Sequence, residues 1–426
     1  MSIISRVLDY GWAIRLSALS GTNLLFLFLF QIIALGNLGL GKQTDIYFAG
    51  VVLPQFISLI LSILIVNRLV PFFSSSNKEM LNEHTLNFAA IFFWISILFI
   101  LLVIIFDEVF ASFFFHNIYI NNEHKLLSVL LLSTIFIPLN SINAVWTARY
   151  YSHDQYLKIE FLGIFSSIPA ILLILLVGSN LTIISFIYIS LLRLLILYIL
   201  LSKRHIFKVL FFKNIKLYLS ALKGSPEYFL NLIITKSDQL IDRGLISSIA
   251  LPGILSIYSL AYQLILIVSS LLSKTFGNRT LKAFSVLFKE NTSPRIYFKK
   301  FIKEILFFCF FIELVLIIFG HDILLIPLLH LNYSAESVHG IYLFIVLMSG
   351  LMIGGSARQV VENLFHASNE SAIFAKWSTI NFLIYLVFKV LAFIYFSVEG
   401  LCIAISIYSI VDPVILYLKK NKLSTL

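Results

Sequence analysis

Charge is scarce in this 426-residue chain: Asp, Glu, Lys and Arg make up 12% of it, against 60% hydrophobic residues. Soluble domains average about 25% charged residues, so a water-soluble globular chain is excluded and a polytopic helical membrane protein is implied. Cysteine is scarcer still. The two present, Cys309 and Cys402, both fall inside apolar runs. That excludes a disulfide framework or a zinc-ligand spacing, and leaves both as small core residues. The histidines form no ligand cluster, so no metal site is expected. There is no phosphate-cradling glycine loop and no nucleophile–base pattern, so neither catalysis nor a cofactor is expected. The first apolar run begins near Leu16. It is too long for a signal-peptide core and lacks a small-residue cleavage site.

What the chain has in quantity is apolar runs. Twelve are long enough to cross a bilayer, among them 46–67, 226–247, 338–362, 374–396 and 399–417. The net charge of +10 does not point to nucleic acid, because the basic residues lie in short connections between these runs. Connections after even-numbered spans hold Arg149, Lys203, Arg204, Lys208, Lys213, Lys299 and Lys300 among others. Those after odd-numbered spans hold Asp107, Glu108, Glu123, Asp322 and Glu399, with only Lys42 and Lys125 against them. Cations stay on the cytoplasmic side, so both termini are expected there. The expected fold is all-α, with about twelve transmembrane helices in two six-helix lobes. Residues 1–201 form the N-terminal lobe and 225–426 the C-terminal lobe. Between them, 202–224 mixes Lys with Phe, Leu and Ile at helical spacing and reads as an amphipathic helix on the inner membrane face. External connections are short and leave no room for a folded domain.

The chain is organised around residues 41–73. Asp45 sits just ahead of an apolar run, Pro54 interrupts it, and Asn67-Arg68 closes it. A spanning helix that keeps a carboxylate, a proline and an arginine usually handles something polar. The stretch has an echo 211 positions on. Ile46-Tyr47 falls on Ile257-Tyr258, Leu53 on Leu264, Ser58 on Ser269, Asn67-Arg68 on Asn278-Arg279 and Phe73 on Phe284. Two copies of one membrane unit are the usual construction of a secondary transporter.

Span seven is the most polar. On one helix, Glu227, Asn231, Asp238 and Asp242 would share a sector of roughly 60°. Such a stripe either faces a wet cavity and couples transport to H+ or Na+, or pairs with basic neighbours and holds the bundle together. Carboxylates in the apolar zone cost at least a few kcal/mol each, which favours the coupling reading. Arg358, Glu362 and His366 recur every four residues near a helix end, where local ion pairs are the simpler reading. Arg193 reads as an inward anchor. Lys389 and Asp412 are isolated ionisable residues and candidate partners for each other.

Thr44-Asp45-Ile-Tyr47-Phe-Ala49, then Leu53-Pro54 and Val70-Pro71, resembles the first-lobe signature of the MviN/MurJ family. These are lipid II flippases of the multidrug/oligosaccharidyl-lipid/polysaccharide exporter superfamily. Ile241-Asp242-Arg243, followed by Tyr258, Ala261 and Leu264, is similar to the family's seventh and eighth helices. Leu364-Phe365-His366-Ala367 and Glu399-Gly400-Leu401 are similar to later segments. The family's helix-one arginines have no counterpart beyond nearby Arg15, and its helix-eight arginine aligns with Gln263. The two further C-terminal helices are absent after span twelve. This pattern resembles the Wzx-type flippases for O-antigen or capsule units. The resemblance implies a non-enzymatic flippase for a polyprenyl-diphosphate-linked oligosaccharide in the bacterial inner membrane, with an inter-lobe cavity that opens alternately to each side. It implies a headgroup site from Arg15, Asp45, Arg68, Arg243, Gln263 and Arg279. A drug/cation antiporter of the same superfamily, and a membrane glycan polymerase or ligase, are the alternatives.

Overall fold

The computed structural model describes residues 10–77, 79–202, 226–249, 251–290, 293–368 and 370–423. Those residues are helical and contain no strand. In chain order the helices are α1 (Tyr10–Leu38), α2 (Lys42–Ser75), α3 (Leu81–Phe114), α4 (His116–Ser133), α5 (Phe136–Tyr151), α6 (Tyr156–Val177) and α7 (Ile183–Ser202). The series continues with α8 (Pro226–Lys236), α9 (Asp238–Ser247), α10 (Ile254–Lys289), α11 (Arg295–His330), α12 (Ala335–Leu347), α13 (Gly350–Ala367) and α14 (Ser371–Leu423). The expected amphipathic linker, 202–224, lies outside the described residues apart from Ser202.

Among the described residues, eight helices are long and apolar enough to cross a membrane, and the bent pair α12–α13 makes a ninth. The α14 run holds two of the expected spans. Ser397 has φ 57°, and Gly400 packs on the Ala392 carbonyl eight residues back. A continuous helix would separate those two positions by about 12 Å, so the chain folds back at Ser397. Helix α11 covers expected span nine. Expected span seven is not one helix: it breaks at Ser237 into α8 and α9.

The chain forms two compact units. One comprises Thr22–Gly224 with Lys236–Ser256, and the other Met1–Gly21, Ser225–Thr235 and Ile257–Leu426. In the first, Ile65, Leu69, Phe73, Phe88 and Trp146 pack into a core between α2, α3 and α5. In the second, Phe284, Phe301, Ile305, Cys309, Val360 and Phe365 do the same. Both cysteines are buried free thiols. Large apolar side chains also stand exposed, among them Ile105, Phe113, Leu176, Phe310, Phe311 and Phe396. Exposed apolar surface on this scale needs hydrocarbon rather than water as its solvent.

Small residues set two close approaches. Pro54 has no N–H, so it frees the Gly50 carbonyl within α2. The Ser133 hydroxyl donates to that carbonyl at 3.3 Å, and a Cβ on Gly50 would sit 2.5 Å from Val129. In the second unit, Gly350 and Gly354 lie four apart on α13 and face α14. A Cβ on Gly350 would come within 2.9 Å of the Ser406 carbonyl, and one on Gly354 would overlap the Ser409 carbonyl. Such a small-residue face lets two spanning backbones touch. Gly354→Val is therefore expected to destabilise the protein by about 3 kcal/mol, the upper range for overpacking. Thermal unfolding in detergent checks this against Gly41→Ala, where an added Cβ meets nothing within 4 Å.

Candidate functional site

The start of α2 is held by its own Thr44. The Thr44 hydroxyl accepts from the Gly41 N–H at 2.9 Å and lies 2.9 Å from the Gly41 carbonyl. One residue on, Asp45 turns to another helix. Its carboxylate accepts from the Gly253 N–H at 2.6 Å, the Ser256 N–H at 2.9 Å and the Ser256 hydroxyl at 2.6 Å. These are backbone donors at the start of α10, which have no partner within the helix. A carboxylate also suits the positive end of the helix dipole. Gly253 has φ +90°, a backbone conformation that side chains resist. Ser256 is also the position that the 211-residue shift sets against Asp45. Beside this clamp is a cavity of about 320 Å³, lined by Lys42, Asn117, Asn121, Asn122 and Pro252 among others.

Helix α9 packs against α2, α3 and α4. The Ser247 hydroxyl donates to the Phe114 carbonyl at 3.0 Å, and the Asn117 amide to the Ser248 carbonyl at 2.7 Å. Arg243 on α9 is buried, donates to the Phe48 carbonyl at 3.3 Å and stands 5.6 Å from the Phe48 ring. Buried Tyr47 interacts electrostatically with both Arg243 and Arg193. Its ring packs 4.9 Å from Phe186.

The expected acidic stripe is divided by the break at Ser237. Asp242 is fully buried and Asp238 half-buried on α9, in the first unit. Asn231 on α8 is buried in the second unit and accepts from the Thr379 hydroxyl at 3.0 Å. Glu227 falls in α8, but its side chain lies outside the described residues, as does that of Arg279 in α10. Of the expected headgroup residues, the first unit brings Asp45, Arg68 and Arg243 into one body. Arg68 is half-buried near the far end of α2 from Asp45. Arg15 is exposed, and Gln263 is half-buried with its Oε1 buried and without a hydrogen-bond partner; both belong to the second unit.

The second unit also holds a polar cluster that the sequence did not assemble. Arg358 on α13 forms an ion pair with Asp412 on α14 at 2.8 Å. Its guanidinium also donates to the Ser378 hydroxyl at 2.6 Å, and the Asn381 amide donates to Asp412 at 2.9 Å. Tyr408 stacks on Tyr385 at 3.9 Å, and buried Lys389 lies 5.0 Å from the Tyr385 ring. Asp412 thus has Arg358 as partner, where sequence had offered Lys389. Glu362 and His366 do pair locally, at 3.3 Å. Among the described residues no group of three or more His, Cys, Asp or Glu is arranged to hold a metal ion.

Ionisable residues buried inside the spans of a helical membrane bundle mark it as more than an anchor. Solved structures share the chain's fold. The chain matches a lipid II flippase MurJ in an inward closed conformation with TM-score 0.79 at 16% identity, covering 96% of this chain and 87% of that one. It matches an inward-facing multidrug resistance MATE family transporter of the MOP superfamily with TM-score 0.74 at 12% identity, covering 97% and 98%. The Vibrio cholerae MATE transporter VcmN, in its bent form, matches with TM-score 0.66 at 12% identity, covering 98% and 97%. No curated protein sequence matches the chain. The profile of the lipid II flippase MurJ family matches residues 36–425, and the chain belongs to that family. It is a family of transporters, not of catalysts.

Proposed function

We propose that this protein is a flippase that moves a polyprenyl-diphosphate-linked oligosaccharide across the bacterial inner membrane by alternating access. Lipid II and O-antigen or capsule-type units are the substrates in question. The observation that carries this is family membership over residues 36–425. The physical need is plain, because a sugar-diphosphate headgroup loses its hydration in hydrocarbon. Deleting the gene should leave a chemically complete lipid-linked glycan facing the cytoplasm. Complete units that reach the outside but stay unpolymerised would favour a polymerase instead. The MATE likeness supports a second reading, a drug/cation antiporter, which predicts dye accumulation in the deletion strain and normal glycan lipids.

In this reading both termini are cytoplasmic. Reporter fusions after Lys213 and Leu426 should read cytoplasmic, and one at Asn121 external. Opposite readings at the two lobe ends would mean an odd span count.

Asp238 and Asp242, one turn apart on α9, serve as the coupling site for H+ or Na+. The support is the full burial of Asp242 on α9. Asp242→Asn is expected to slow transport about tenfold, the effect of ~1.4 kcal/mol of lost coupling. Lys236→Gln, at an exposed position, should leave it unchanged. Rates measured across pH and sodium concentration check this; unaltered ion dependence in the Asp238→Asn/Asp242→Asn double variant would contradict it.

A further inference from the structure

Helix α11 carries one carboxylate where its sequence is otherwise apolar. Between Glu304 and His321 the only charged residue is Glu313, which lies roughly 12–14 Å along the axis from either. Phe307, Phe310, Phe311, Leu314 and Ile318 are exposed on one side of this stretch, a surface that needs hydrocarbon. Ile305, Cys309 and Gly320 are buried on the other. At about 100° per residue, Glu313 falls about 40° from Cys309 and about 20° from Gly320, on the buried face. Its Oε1 is wholly buried without a hydrogen-bond partner, and among the described residues no basic side chain pairs with it.

Two contacts fix what Glu313 faces. One turn before it, the Cys309 thiol lies 3.8 Å from the Met352 carbonyl on α13. One turn after it, the Ile317 carbonyl accepts from the Tyr342 hydroxyl on α12 at 2.9 Å. Midway between Tyr342 and Met352 is Leu347, where α12 ends and the pair α12–α13 bends by 40°. There the Ser349 N–H turns to the Val346 carbonyl at 3.2 Å and the Met352 N–H to the Ser349 carbonyl at 2.9 Å, both three residues back instead of four. Ser406 on α14 holds the break: its hydroxyl accepts from the Gly350 N–H at 3.1 Å and donates to the Leu347 carbonyl at 2.6 Å. Broken spanning helices, whose backbone is no longer fully used by its own turns, are where secondary transporters hold ions.

The titratable neighbours are otherwise engaged or distant. Tyr342 on α12 is bonded to Ile317, and Arg358 on α13 is paired with Asp412 on α14. His321 and His339 stand together at the far end of α11, rings 5.9 Å apart. The contact of α10 with α11, Phe284 on Phe301, is twelve residues from Glu313 (313 minus 301). An ionised carboxylate at the break has no counter-charge, and the smallest one that can be supplied is a proton. We infer that Glu313 is a proton-binding site whose occupancy sets the bend between α12 and α13. The carboxylate takes a proton from water, and the resulting acid donates it to a backbone carbonyl of the break. Giving the proton back restores a charge that only water can hydrate, so the break must open. The site goes beyond the flippase reading and does not rest on it.

The test is infrared spectroscopy of purified full-length protein in nanodiscs, recorded across pH with sodium or potassium as the salt. Wild type minus Glu313→Gln should show one protonated-carboxyl band that is lost as pH rises, whichever salt is present. Asp242→Asn protein should keep that band. Spin labels on Ser337→Cys in α12 and Ala367→Cys in α13 should change their separation over the same pH range, and hold it constant once Glu313→Gln is added. The inference requires both readouts. A band that is absent or never titrates, a spectrum that follows sodium instead of pH, or a label distance that ignores pH overturns it. Should Glu313→Gln fail to fold, Glu313→Asp decides: a displaced band supports the site, and a wild-type spectrum overturns it. Neither readout uses a lipid-linked substrate, so failure here leaves the flippase reading intact, and absence of flipping leaves this site intact.

Discussion

Asp45→Ala is expected to destabilise the folded protein by about 4 kcal/mol, because three donors lose an ionised acceptor at once. Two of them are backbone N–H groups of Gly253 and Ser256 at the start of α10. Both residues are buried, so the loss of the carboxylate leaves two buried N–H groups short of their acceptor. Asp45→Asn keeps one acceptor oxygen and turns an NH2 toward a donor, so about half of that loss is expected. Thr44→Val removes the hydroxyl contacts to Gly41 and Ser256 and should cost about 1 kcal/mol. Unfolding in detergent, followed by the monodisperse fraction on heating, gives this order directly. Equal stability of Asp45→Ala and wild type would mean that the clamp contributes nothing to the folded state.

The second large effect lies in the other unit. Removing Arg358 leaves the buried Asp412 carboxylate without its counter-ion, at a cost of about 3–5 kcal/mol, while removing Asp412 leaves a half-buried guanidinium that water partly reaches. Arg358→Met should lower stability by that much, and Asp412→Leu by less. The double variant should recover most of the loss, since replacing a buried pair by apolar residues is often neutral. The single and double variants together form a thermodynamic cycle, and the coupling energy it yields should exceed about 2 kcal/mol. Additive losses would mean that the two groups act independently and that the Ser378 and Asn381 contacts dominate.

These two sites differ in how far the sequence exposed them. Asp45 stood out because a carboxylate at the head of an apolar run has few uses. Its partner did not: a repeat aligns Asp45 with Ser256 but says nothing of contact between them, and only the start of α10 folding onto α2 brings them together. Most helices were legible from run length alone, and so was the turn at Ser397 between the last two runs. The break at Ser237 was not. Helical periodicity continues through it, and only packing separates α8 from α9. The Arg358–Asp412 pair was hidden for a different reason. Its members are 54 residues apart (412 minus 358) on different helices, and a single sequence carries no signal for which buried acid meets which buried base. Arg193 was visible as a residue, but its depth near the middle of α7 was not.

Flipping by purified protein tests the central claim most directly. Proteoliposomes carry a fluorescent polyprenyl-diphosphate-linked oligosaccharide, lipid II first, and a membrane-impermeant quencher reports the outward-facing fraction. Wild-type protein should bring inner-leaflet lipid within reach of the quencher, while empty vesicles and Asp45→Ala protein leave it protected. If well-folded wild-type protein moves no polyprenyl-diphosphate saccharide, yet drives uptake of a cationic dye against an ion gradient, the flippase account is contradicted and the antiporter reading replaces it.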